Sequence, residues 1–105
     1  MTPKDENKID DLLTSLWERG LPVLRERLNL LDRTAIAAKA GDMDEALRVE
    51  AVGIAHKLAG SLGMFGYDRG TDISRQIEQM LAVPAAASEH LAALVSELRE
   101  TLRIQ

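Results

Sequence analysis

Apolar residues three and four apart recur along almost the whole chain, and nowhere do they alternate with polar residues as in a half-buried strand. Ile9, Leu12, Leu13, Leu16 and Trp17 share one helical face, and Leu24, Leu28, Leu31, Ala35 and Ala38 share a second. Ile73, Ile77, Met80 and Leu81 form another stripe, and Leu91, Leu94, Val95, Leu98 and Leu102 one more. Such stripes are buried only by packing helix on helix. The expected fold is all-α: an antiparallel up-and-down four-helix bundle with a short additional N-terminal helix packed across one end. At 105 residues and 46% hydrophobic, the chain closes one core in one domain, built from Leu, Ile, Val, Met and Ala.

Glycine and proline mark the expected boundaries. Gly20 and Pro22 end a first helix over about 8–19 and open a second over 21–40, which Gly41 caps. Asp42, three residues before Glu45, has the form of a capping box for a third helix over 42–65. Gly66, Tyr67, Asp68, Arg69 and Gly70 supply the turn before a fourth helix over 68–82. Pro84 separates that helix from the last, over 86–103.

Several function classes drop out. The chain has no cysteine, which excludes disulfides, thiolate metal sites and cysteine nucleophiles. Thirteen Lys and Arg against seventeen Asp and Glu give a net charge of −4 with no basic block, so no nucleic-acid partner is expected. The N-terminus is charged, and no apolar run reaches the roughly 18 residues of a membrane span. A soluble, cytoplasmic, monomeric protein with no membrane partner is expected. Met1 and the short tail after Leu102 suggest that it stands alone.

The segment AVGIAHKLAGSLGMFG, residues 51–66, holds a single His and an unusual number of glycines inside a helical pattern. Each interior Gly is about 1 kcal/mol worse than Ala in a helix, so Gly53, Gly60 and Gly63 together cost roughly 2–3 kcal/mol. At about 100° per residue, Leu47, Ala51, Ile54, Leu58, Leu62 and Phe65 form the inner stripe. His56 points nearly the opposite way, flanked by the three glycines, with Val49 and Val52 in the same sector. A lone His is most often structural, and helix glycines often serve close packing. Both explanations place the residue beside the apolar stripe, whereas these oppose it. An exposed imidazole in a clearing beside apolar side chains suggests a nucleophile and a surface for partner docking.

These residues resemble the histidine-phosphotransfer (HPt) domains of multistep phosphorelays. Members carry a helix motif of the form A-H-x-L-K-G-S; here it reads Ala55, His56, Lys57, Leu58, Ala59, Gly60, Ser61, followed by Gly63 and Gly66, and six of the seven positions agree when x is free. The resemblance implies that His56 accepts a phosphoryl group and that Glu78, matching the family's Gln or Glu, accepts a hydrogen bond from its Nδ1–H while Nε2 attacks. It implies response-regulator receiver domains and a hybrid histidine kinase as partners. It also implies Mg²⁺ held by the receiver with no cofactor on this chain, and an approach kept clear by Gly60. Ala59 stands where the family has a phosphate-neutralising lysine. Lys57 and Arg75 are the candidates to compensate. Ser61 has two roles open to it, a contact with the phosphoryl group or a bond to a backbone carbonyl one turn back.

No GxxxxGK nucleotide loop occurs, so a stoichiometric carrier is expected and not an enzyme. Two alternatives remain. One is a non-phosphorylated adaptor of the same fold that docks on receivers or kinases, motivated by Ala59. The other is a metal-dependent or acid-base enzyme using His56 and His90, the latter beside Glu89 but with no second His at zinc-site spacing.

Overall fold

In a computed structural model of the chain, residues 3–83 and 88–104 are described, with side chains over 9–83 and 90–104. They form four helices: α1 (Pro3–Ala40), α2 (Glu45–Met64), α3 (Asp68–Ala82) and α4 (Ser88–Leu102). No strand occurs among the described residues. Pro84 and the expected start of the last helix at residue 86 lie outside them.

The first two expected helices are one. α1 runs through Gly20 and Pro22 without a stop, and Gly20 keeps a negative φ, unlike the two glycines that leave their helices, Gly41 and Gly66. Proline removes one backbone donor and crowds the preceding turn, which weakens a helix without having to end it. Continuity is favoured because Trp17, Leu21, Leu24 and Leu28 fall on one face across the weak point, and all four pack into or against the core. A separate N-terminal helix folded over the bundle end is therefore absent. Instead Ile9, Leu12, Leu13 and Leu16 are largely exposed. At 1.5 Å per residue α1 is about 57 Å long, which accounts for the 55 × 21 × 21 Å shape of the molecule.

Gly41, at φ 76°, closes α1 as expected: its N–H donates to the Ala38 carbonyl (3.2 Å) and the Asp42 N–H to that of Ala37 (2.8 Å). That engagement displaces the expected capping box. Asp42 belongs to the end of α1, and Asp44 caps α2 by accepting from the Leu47 N–H at 2.7 Å. Glu45 binds Arg48, whose hydrogen bonds hold the Glu45 carboxyl below its ordinary pKa. Gly66, at φ 83°, ends α2. Gly70 lies buried within α3, where a Cβ would come within 3.1 Å of Leu62 Cδ1; it serves close packing and not the turn.

The core joins Leu24, Leu28, Leu31 and Ala35 of α1 to Ala51, Ala55, Leu58 and Leu62 of α2. Ile73, Ile77 and Leu81 of α3, Leu91, Val95, Leu98 and Leu102 of α4, and Ile104 just beyond α4 complete it. Polar ties span the helices as well. Arg48 donates to the Leu81 carbonyl (2.8 Å), Arg69 pairs with Glu97, and Arg99 binds Asp32 and Asn29. All three aromatic residues meet at one end: Trp17 stacks on Tyr67 (centroids 4.9 Å apart) and meets Phe65 edge-on (5.2 Å). This cluster ties α1 to the α2–α3 turn.

Candidate functional site

Ala55, Leu58 and Ala59 are buried, so α2 is seated on the core on both sides of His56 while His56 itself faces out, its side chain 76% exposed. Its Nδ1 lies 3.0 Å from Oε2 of Glu78 on α3. A carboxylate can only accept, so in the neutral imidazole this contact favours the proton on Nδ1, which leaves the lone pair on Nε2, on the far side of the ring. The expected pairing of His56 with Glu78 is present in the structure.

The three glycines divide. A Cβ added at Gly53 or Gly60 would meet nothing within 4 Å, whereas one at Gly63 would lie 3.3 Å from Thr71 Oγ1. That hydroxyl donates to the Ala59 carbonyl at 3.0 Å. Gly63 thus leaves room for an α2–α3 tie, while Gly53 and Gly60 leave an open surface around the imidazole. Val49, 56% exposed, stands in that surface. Val52 does not: it is partly buried and packs against the core on the α3 side, because its direction on α2 falls between His56 and Ala59.

Lys57 is exposed but about 100° around the helix from His56. Ser61 turns the other way and lines a cleft of about 270 Å³ between α1 and α2, with Leu16, Trp17, Gly20, Val23 and Leu58. Its hydroxyl makes no hydrogen bond to a backbone carbonyl one turn back among the described residues, and its direction on α2 is about 140° from that of His56. Ala59 is buried where α2 meets α3. Arg75 is exposed and lies on the ridge of α3 that runs Thr71, Arg75, Glu78. His90 is exposed on α4, and no group of three or more His, Cys, Asp or Glu suited to a metal occurs among the described residues.

Thr71 carries no signal of its own in the sequence. Thr71 acquires a role only once the register of α3 against α2 is known.

Against known proteins, the family model described as Hpt domain matches residues 9–103. The chain belongs to the Hpt domain family. It is also similar to Protein RcaC of Microchaete diplosiphon, 30% identical over 69 residues, which cover 66% of this chain and 11% of that protein. The chain thus aligns with a small part of that relative's length. No solved structure matches it at a significant level. No helix among the described residues is long and apolar enough to cross a membrane.

Proposed function

We propose that this chain is a histidine-containing phosphotransfer protein that relays a phosphoryl group through His56 between response-regulator receiver domains, in a two-component phosphorelay fed by a hybrid histidine kinase. The observation that carries the reading is the outward imidazole whose Nδ1 is held 3.0 Å from Glu78, in a chain of the Hpt family.

The lone pair of Nε2 attacks the phosphorus of a receiver's aspartyl phosphate. The N–P bond forms as the P–O bond breaks, and the aspartate leaves as its carboxylate. Nδ1 keeps its proton throughout, and the Glu78 carboxylate offsets the positive charge that develops on the ring. Because no proton has to be lost, the step runs in either direction. Mg²⁺ in this reading belongs to the receiver. Val49, Gly53 and Gly60 form the docking surface, and Gly63 acts indirectly by setting the spacing of α2 and α3.

The chain is a stoichiometric carrier in this account, a monomer working in the cytoplasm. Its helices form an antiparallel bundle, a topology supported by the order in which Arg48, His56 and Ala59 of α2 meet Leu81, Glu78 and Thr71 of α3.

The test is phosphoryl transfer from a panel of phosphorylated receiver domains to the wild-type chain and to His56→Ala. Acid-labile, alkali-stable label on the wild type alone is the expected result. Absence of label from every donor, with receiver binding retained, would leave the adaptor as the better reading.

A further inference from the structure

Once His56 carries a phosphoryl group, up to two negative charges stand in front of α2, close to the Glu78 carboxylate. A cation within reach must offset them. Lys57 is the neighbour in sequence, but it leaves the helix about 100° away from His56.

Arg75 is better placed. Thr71, Arg75 and Glu78 follow one another at i, i+4 and i+7 along one ridge of α3. Both ends of that ridge are pinned to α2: Thr71 bonds the Ala59 carbonyl at 3.0 Å and Glu78 bonds His56 at 3.0 Å. Arg75 is therefore level with the stretch of α2 between His56 and Ala59. The side chain at 59 is a single methyl group, already buried against α3, and the space at Gly60 is empty. Arg75 is exposed and enters no ion pair among the described residues, in contrast to Arg48, Arg69 and Arg99.

Resting on the carrier reading above, the geometry points to Arg75 as the cation that holds the phosphoryl group on His56, reaching from α3 across the small side chain of Ala59. Its planar fork suits the three phosphoryl oxygens. The anchoring charge then comes from the helix that also supplies Glu78, so the ridge steadies both faces of the reaction: the ring proton and the transferred group.

The test loads the full chain with phosphoramidate, which needs no partner protein. Its P–N bond breaks, ammonia leaves, and the phosphorus bonds to Nε2 while Nδ1 keeps its proton. Arg75→Gln is expected to slow loading about fivefold, and Arg75→Lys by no more than about twofold. Adding Ala59→Lys to Arg75→Gln is expected to restore most of the rate, since a cation then rises from α2 into the same space. The difference between wild type and Arg75→Gln should shrink in about 1 M salt, where screening acts within about 3 Å. Circular dichroism checks that the exposed substitution leaves the helices intact. A labelled wild type with an unaffected Arg75→Gln, or a loss seen in Lys57→Gln alone, overturns the role of Arg75. A wild type that takes no label overturns the carrier reading and this inference with it.

Discussion

Gly60 has no local reason to be glycine. It sits inside α2 and a Cβ there would touch nothing within 4 Å, so alanine ought to suit the isolated fold better by about 1 kcal/mol. In the carrier reading, glycine here keeps the approach of another molecule to His56 clear. Gly60→Ala is accordingly expected to raise the midpoint of chemical unfolding and to slow transfer from a phosphorylated receiver more than it slows loading from phosphoramidate. Equal transfer rates in the two chains would remove the steric argument. Gly63→Ala should behave otherwise, because its methyl group would lie 3.3 Å from Thr71 Oγ1, which must give by a few tenths of an ångström while it is held to the Ala59 carbonyl. Glu78 is tested through the ring it orients. In ¹⁵N spectra of the neutral imidazole the wild type should carry its proton on Nδ1, and Glu78→Ala should move it toward Nε2; unchanged spectra would mean that the 3.0 Å contact does not govern the tautomer.

Among the elements, α1 departs furthest from what local signals imply. Gly20 and Pro22 resemble a stop because one adds backbone freedom and the other removes a donor, yet Trp17, Leu21, Leu24 and Leu28 keep one face across them. Tertiary packing of that face, with the Trp17, Phe65 and Tyr67 cluster behind it, outweighs the weak turn. The continuity was legible in the spacing, had the two stripes been joined. If the helix is continuous, Gly20→Ala should stabilise the protein by about 1 kcal/mol and Pro22→Ala by up to about 3 kcal/mol, read from denaturant midpoints. A tight turn at this point would give losses instead. The start of α2 shows a different ambiguity. Asp42 and Asp44 both precede Glu45 at distances open to capping. Only the structure shows Asp42 committed through its N–H to Ala37, at the end of α1.

For the whole molecule, the helical class, most of the core stripes of α3, α4 and the second half of α1, and the outward His56 could be read in advance because helical periodicity fixes which way each side chain faces; the stripe of Ile9, Leu12, Leu13 and Leu16 stays exposed, and on α2 Ala55 and Ala59 are buried outside the expected stripe. Leu28 is fully buried, as its place in the stripe implies, and Leu28→Ala is expected to cost about 2–5 kcal/mol of unfolding free energy. Contacts between helices were less legible, since periodicity gives a face and not the register of one helix against another. Thr71 beneath Ala59, Val52 turned toward α3 and Arg75 between two pinned neighbours all depend on that register, as does Ser61 facing the cleft with α1. Glu78 could be named in advance only through the family resemblance. In the carrier reading phosphate arrives on Nε2 of His56. The most direct measurement is the ¹⁵N and ³¹P spectrum of the chain after exposure to a phosphorylated receiver domain, run beside His56→Gln. The account requires a phosphorus-coupled Nε2 on His56 and no phosphohistidine signal in the variant. Phosphate on Nδ1, on His90, or in equal amount on His56→Gln would contradict it.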